Sequence, residues 1–499
     1  MKIIKTLLLL FVVLSVFVSC IQNGEDGDLS LLQGTYVIAG NCYKADYGTL
    51  SVLENRNSDD SRLIQLPLIR IYSTSEKPSE PVFRFIGGPG GPNVWTPSTV
   101  QQYGLENLPE AYLIENHDLI MVGYRGVDGS VSLSCPDVEE ALSVEKNPLS
   151  AENIQKLGEA WYGCFQELEA SGVDIDGYTV VDVVDDMEAA RTALGYEKIN
   201  LYGSSYGTRP AYIYSLRYPE SVHRLFMFGV NPPGGFVFEP EMVDTQINYL
   251  GELWKNDPEC TAKTPDIVAT IKTVLAGLPV QYESVYIDPD KIKTMMNITD
   301  SLREPQDIAM LFDAFVAAEQ GDFRGLAYLI IYYDLGIPSV LSNGDYPSKM
   351  VSADYDSERD YVTEMQDSDS IIGSPVTTLL FGHMEYGGWP IAPISEEYRQ
   401  AQYSEVETLM LNGIFDMATA KAESDILPLL KNGHSVVLKE LGHCRGQESS
   451  QPGAFQNLVE SFFMDGVVDD SQFEYQPLSF TPEITFQEMY DQYAHPFGF

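Results

Sequence analysis

A serine with glycine two residues away on either side is the first candidate for chemistry: Gly203-Ser204-Ser205-Tyr206-Gly207 follows directly on the apolar run Ile199-Asn200-Leu201-Tyr202. A tight strand-to-helix turn lifts a serine hydroxyl clear of the backbone only where its flanking residues are small. Gly203 and Gly207 meet that demand. Residues 208–216 read as the helix leaving the turn, with Pro210 in its first turn, where a missing N–H is tolerated. A hydroxyl is a weak nucleophile at neutral pH, so Ser205 needs a base to take its proton and an acid to orient that base. Asp416 follows the apolar run at 408–412, and His443 follows the next one, at 436–442. Such a trio performs acyl transfer through a covalent intermediate, which also requires two N–H donors for the developing oxyanion. Tyr206, directly after the serine, supplies one. The other is assigned to Gly88, because residues 82–86 run into Gly87-Gly88-Pro89-Gly90-Gly91 and Pro89 has no N–H.

The remaining histidines are placed differently. His117, His223 and His434 each precede a strand run, at the opposite end from Ser205; His383 falls in a helical stretch and His495 near the terminus. Asp425, a rival to Asp416, lies within a helical run and reads as a solvated side chain.

Positioning these groups requires a sheet. Strand-like runs occur at residues 63–72, 82–86, 119–124, 199–202 and 225–228, and return at 408–412 and 435–439. Residues 180–195 carry apolar side chains at helical spacing and stop at Gly195, so strand, helix and strand alternate as in a parallel sheet. From about residue 231 the pattern turns helical. The expected organisation is an α/β core in two parts, 35–231 and 401–499, interrupted by a helical insertion at 232–400.

Composition limits the partners. With 73 acidic against 30 basic residues, a formal charge of −43 disfavours nucleic acid, whose phosphates would be repelled. The six cysteines show no metal-ligand spacing, so neither metal nor cofactor is expected. Residues 1–20 read as a targeting segment, with a basic start, an apolar stretch at 7–18 and Val18-Ser19-Cys20 at its end. That ending resembles a bacterial lipoprotein signal, which would make Cys20 the lipidated residue; an ordinary secretory signal is the alternative. Residues 21–34 then read as an acidic tether, similar to the surface-export signals of lipoproteins in some Gram-negative bacteria. Either way the folded part is expected outside the cytoplasm. It would be held at the outer membrane or cell surface by the lipid or, without it, lie free in the periplasm or be secreted. In an oxidising compartment disulfides are the default, with Cys135–Cys164 the preferred pair and one odd cysteine expected in the core.

These motifs together resemble the proline iminopeptidase and tripeptidyl aminopeptidase family of α/β-hydrolase serine peptidases, in particular its larger, secreted, tripeptidyl-type branch. The resemblance rests on residues 47–52 and 65–68, the glycine loop at 87–91, Gly123-Tyr124-Arg125-Gly126-Val127-Asp128-Gly129-Ser130 and Cys135-Pro136. It continues through Tyr178-Thr179, Asp185-Asp186, Arg191, Leu194-Gly195-Tyr196 and 203–208, and ends on Gly413, Asp416, Thr419 and Gly442-His443. The order Ser, Asp, His is also that of the α/β-hydrolases. The resemblance implies a mostly parallel sheet with helices on both faces and an inserted helical cap. It makes Ser205, Asp416 and His443 nucleophile, acid and base, with Gly88 and Tyr206 as oxyanion donors and Thr419 as support for the triad. It further implies that cap carboxylates hold the free α-ammonium of a short peptide, which fixes the distance from the N-terminus to the cleaved bond. Glu385, within Gly382-His383-Met384-Glu385-Tyr386, is the candidate, with Glu239 and Glu241 as rivals. The chain departs from the family pattern at Gly123-Tyr124, at Pro92 and at His383, which leaves the number of residues released open. The expected function is a serine exopeptidase acting from the free N-terminus. The alternatives are a carboxylic-ester hydrolase on the same fold and a surface lipoprotein that binds peptides without cutting them.

Overall fold

Runs of Val, Ile, Leu and Phe that are buried at every position mark the centre of a sheet covered on both faces. In the computed structural model, which describes residues 25–102, 108–298, 302, 304–439 and 441–493, eleven strands are seen. They are β1 (Leu29–Ile38), β2 (Asn41–Leu53), β3 (Leu63–Ile71), β4 (Val82–Phe85), β5 (Leu119–Val122), β6 (Ile199–Ser204), β7 (Val222–Phe228), β8 (Val280–Tyr282), β9 (Val285–Ile287), β10 (Thr408–Gly413) and β11 (Gly433–Leu438). Every residue of β4, β5 and β10 is buried, as is β6 up to Gly203. Nine strands form one sheet in the order β1-β2-β3-β5-β4-β6-β7-β10-β11, while β8 and β9 pair separately. The first three pairings are antiparallel and the remaining five are parallel.

Register decides where the chemistry collects. Phe85 lies opposite Gly203, Ser204 opposite Phe228, Phe228 opposite Leu411, and Gly413 opposite Leu438. The carboxyl ends of β4, β6, β7, β10 and β11 therefore share one edge, and the loops leaving them carry the glycine run, Ser205, Asp416 and His443.

Helices cover both faces. On one side pack α1 (Ala151–Ala170), α2 (Val180–Leu194) and α3 (Thr208–Arg217), together with the helices between β7 and β10, among them α4 (Pro240–Lys255) and α5 (Asp345–Asp354). On the other side α6 (Cys444–Ser450) and α7 (Pro452–Asp465) follow β11, and Phe455 and Phe463 of α7 meet Phe226 of β7 edge to face. Helix α2 starts where the sequence places it, with a reciprocal capping box between Thr179 and Asp182, and ends on Gly195 at φ 77°.

Two expectations are corrected. Residues 29–34, read as the end of a tether, belong to β1, which pairs with β2 from Leu29↔Leu50 to Ile38↔Asn41. The first part of β1 is held by its ladder rather than by burial, since Leu31 and Leu32 are 43% and 65% exposed, so apolar patterning does not reveal it. Cys135 and Cys164 do join, with an S–S distance of 1.95 Å. Among the described residues, however, Cys42, Cys260 and Cys444 are all free, where pairing would leave a single odd cysteine, and Cys42 is exposed. The signal at 1–20, Cys20 and His495 lie outside the described residues. Among those described, no helix is long and apolar enough to cross a membrane.

Candidate active site

Ser205 sits at φ +52°, a conformation that a side-chain-bearing residue adopts at a cost of about 1–3 kcal/mol. It is the first residue after β6, and the turn is tight because backbone passes on both sides of it. A Cβ on Gly207 would lie 2.1 Å from the Phe85 carbonyl oxygen, so only glycine fits there. The strained serine is held in a hydrogen-bonded chain. Its Oγ is 2.7 Å from His443 Nε2, and His443 Nδ1 is 2.5 Å from Asp416 Oδ2. The histidine side chain is 17% exposed and the aspartate 3%, so the base meets solvent while the acid beneath it does not. Asp416 is fixed by its own loop: Ala418 N–H donates to its Oδ1 at 3.1 Å. Thr419 Oγ–H donates to the Gly413 carbonyl at 2.7 Å, tying the loop back to β10. Ser205, Asp416, His443 and Thr419, separated by more than 200 residues of sequence at the extremes, are thus brought together.

The glycine loop lies against the serine. A Cβ on Gly87 would be 2.6 Å from Ser205 Cβ and 3.2 Å from its Oγ, an approach that any other residue would prevent. Gly88 follows at φ +74° with open space beside it, and Tyr206 is buried on the other side of the serine. The roots of the loop are held by Asn93 and Asp128, to neither of which the sequence assigned a role. Asn93 takes the Ile86 N–H on its Oδ1 at 3.1 Å and donates to the Val122 carbonyl at 2.7 Å. Asp128 accepts from the N–H groups of Asn93 and Tyr124 at 2.7 and 2.8 Å, and burial pushes its carboxyl up to about 6. An Asn and an Asp in two separate loops carry no periodic signal, so nothing short of the fold shows that they meet.

A sequence profile for the alpha/beta hydrolase fold matches residues 81–269, from β4 through the nucleophile turn into the cap. The chain has the α/β-hydrolase fold. Over 180 residues it is 29% identical to a tripeptidyl aminopeptidase of Streptomyces lividans, covering 34% of this chain and 32% of that protein. Over 227 residues it is 27% identical to the serine protease Hip1 of Mycobacterium tuberculosis, covering 42% of this chain and 41% of that protein. The matched part therefore spans about a third of the first relative's length and about two fifths of the second's. Among solved structures, a proline iminopeptidase of Mycobacterium smegmatis covers 87% of this chain and 97% of its own length. Its identity is 14% and its TM-score 0.38, too low to bear on activity.

Within this fold the cap carboxylates are placed unequally. Glu385 ends a short helical turn at Gly382–Tyr386 and is exposed. Burial and then a hydrogen bond with Asp360 raise its carboxyl above the ordinary range. Glu239, at the start of α4, is gripped by Arg359 through contacts of 2.7 and 3.0 Å. Glu241 faces solvent from the first turn of α4. Two large open cavities flank the cap, and Ser205 lines neither. One, of about 980 Å³, lies among Arg56, Asp185, Arg217 and Tyr398; the other, of about 910 Å³, lies among Glu239, Asp354, Tyr355, Tyr361 and Met384. His383 is a core residue: it is 1% exposed, its ring lies against Trp161, and burial drives its imidazole down to about 3. Asp425 is ion-paired with Lys421 at 2.6 Å. Among the described residues no group of three His, Cys, Asp or Glu side chains is arranged to hold a metal ion.

Behind His443, α6 brings Glu448 to the Tyr202 hydroxyl of β6, which donates to it at 3.3 Å. Burial, and then the charge of Glu110, push the Glu448 carboxyl up to about 7. A carboxyl raised in the folded state keeps a proton that the unfolded chain gives up, so its contribution is complete below about 4.5 and is lost as pH rises through about 7. Glu448→Gln should therefore leave the melting temperature at pH 5 nearly unchanged and flatten its decline between pH 5 and 8. Melting curves across that range, showing the same slope in both proteins, would remove Glu448 as the source.

Proposed function

We propose that this protein is a serine peptidase that removes one to three residues from the free N-terminus of short peptides. The observation that carries the catalytic part is the chain from Asp416 through His443 to a positive-φ Ser205, at 2.5 and 2.7 Å. In that reading Ser205 Oγ attacks the carbonyl as His443 Nε2 takes its proton, and Asp416 stabilises the imidazolium. The oxyanion turns toward the N–H groups of Gly88 and Tyr206. His443 returns the proton to the leaving amine, and water then repeats the sequence on the acyl-enzyme.

The exopeptidase part is supported by the cap. Asp360 and Glu385 lie close enough for each carboxyl to shift the titration of the other. Two such groups side by side favour sharing one proton, or a cation between them. An α-ammonium is such a cation. Tyr361 and Met384, their sequence neighbours, line the cavity of about 910 Å³, which is within the size range of small-ligand sites. Glu385→Gln should raise KM for free-amine peptides on the order of 10-fold, as loss of a charged hydrogen bond does. N-acetylated peptides and simple esters should be unaffected, and an equal rise for all three would reject the amine role.

The reading as a whole is tested with chromogenic mono-, di- and tripeptide amides, free and N-acetylated, beside a short-chain ester. Cleavage of free-amine amides alone establishes the exopeptidase, and the best length gives the register. Cleavage of the ester alone makes the protein a carboxylic-ester hydrolase, and cleavage of nothing leaves a binding protein.

A further inference from the structure

The glycine loop that lies on Ser205 is gripped from above by the cap. Helix α5 begins with Asp345, whose Oδ2 accepts the Gly90 N–H at 2.8 Å. The next residue, Tyr346, lies so close over Gly90 that a Cβ there would sit 2.7 Å from its ring. Asp345 and Lys349, one turn on, are both 0% exposed and are paired at 2.8 Å, and Lys349 Nζ donates to the Tyr178 carbonyl at 2.6 Å. The charge of Asp345 thus reaches Gly90 already balanced. It also lies near Tyr206: burial foremost, and this carboxylate next, keep the Tyr206 phenol un-ionised. One cap side chain therefore holds the glycine loop at Gly90 and lies near the side chain of Tyr206, the residue directly after Ser205.

We infer that Asp345 is a positioning residue that sets the oxyanion site from the cap by holding the loop at 87–91 through the Gly90 N–H. The inference rests on the serine-hydrolase reading of Ser205. Its physical basis is that a glycine-rich segment loses more freedom on ordering than any other and needs an external hold to stay in one conformation. Gly88 has positive φ and open space beside it, and the Gly91 N–H on its carbonyl at 3.1 Å is a contact within the loop itself rather than a hold from outside. The anchoring of Asp345 itself is independent of the loop. Gly344 N–H donates to the Leu133 carbonyl, and Cys135 N–H to that of Ser342 at 3.2 Å. The 133–135 segment is in turn joined to α1 by the disulfide of Cys135 with Cys164.

Asp345→Ala alone would leave Lys349 charged, buried and unpaired, and is expected to fold poorly. The test therefore compares two double variants that both lack the ion pair: Asp345→Asn with Lys349→Met, which keeps an acceptor oxygen for Gly90, and Asp345→Ala with Lys349→Met, which does not. On a short-chain nitrophenyl ester the alanine pair should lose 10- to 100-fold in kcat relative to the asparagine pair, with KM within threefold, as misplacing a catalytic group does. Hydrogen exchange at residues 87–91, read in the same two proteins without substrate, should be faster in the alanine pair. Equal kcat, or equal exchange at 87–91, overturns the inference. The serine-hydrolase reading fails differently: the unmodified protein would turn over no ester or amide and Ser205 would not react with a fluorophosphonate. The exchange comparison would still decide whether Asp345 holds the loop.

Discussion

Ser205→Ala should lower turnover of the best substrate by a factor on the order of 10⁴ or more while leaving thermal stability within a degree or two. The size follows from the geometry. His443 Nε2 meets Ser205 Oγ at 2.7 Å, so without that oxygen there is no group for the base to activate. Water could take its place, but it would have to be ordered against the glycine loop at Gly87, where the spacing is set for a serine. What survives is the contribution of the Gly88 and Tyr206 N–H groups, which by analogy with other serine hydrolases is about 10³–10⁴ over water. His443→Ala should cost nearly as much, and the double variant little more, because the two act as one unit. Stability is spared because alanine keeps the Cβ and the positive φ, and the hydroxyl supports nothing beyond the histidine. Retention of most activity by Ser205→Ala, measured as kcat/KM on a cleaved amide or ester, would remove this serine from the mechanism.

The parts of the site legible in the sequence are those where local pattern and chain order coincide. Buried strands such as β4 and β10 appear as unbroken apolar runs, and Ser205, Asp416 and His443 each fall just past the end of one. Gly87, Gly207 and Gly413 stand where a side chain would strike backbone or the serine, so glycine itself is the signal. What was not legible is the cap's grip on the core. Asp345 reaches Gly90 across 255 residues and Arg209 meets Asp354 across 145, and neither acid differs in its own sequence surroundings from the many solvated ones in a chain with 73. Glu385 could be named from its neighbours, but its partner Asp360 lies in a loop without periodicity. The β1–β2 hairpin escaped for the opposite reason: most of β1 is exposed and its buried residues begin only at Tyr36, so it lacks the sustained alternation that marks a half-buried strand.

Arg209→Met should destabilise the protein by about 3–5 kcal/mol, the cost of leaving one member of a buried ion pair alone. Arg209 lies one turn past Ser205, on α3, and Asp354 closes α5 in the cap; both side chains are 0% exposed, with contacts of 3.0 and 3.1 Å between them. The guanidinium also donates to Asn231 and Pro232 in the loop leaving β7, and stacks over Phe236. Asp354 in turn accepts the N–H groups of Gly234 and Phe236, each at 3.0 Å. Without the arginine that carboxylate keeps two amide donors but no counter-charge at a buried position. The effect should therefore be partly reversed when the charge is removed: Arg209→Met with Asp354→Asn, which retains an acceptor oxygen for one of the two amides, should recover part of the loss. Denaturant midpoints of the single and double variants read this directly, and a loss below 1 kcal/mol in the single variant would show that the pair does not fasten the cap. The two ends of α5 then have separate tasks. Asp354 fixes the helix to the element that leaves Ser205, and Asp345, nine residues earlier, meets the glycine loop on the other side of the same serine. A helix tied at both ends across the nucleophile transmits a disturbance at either end to the site. Arg209→Met should accordingly lower kcat in the fraction that remains folded, which a change in global stability alone would not do.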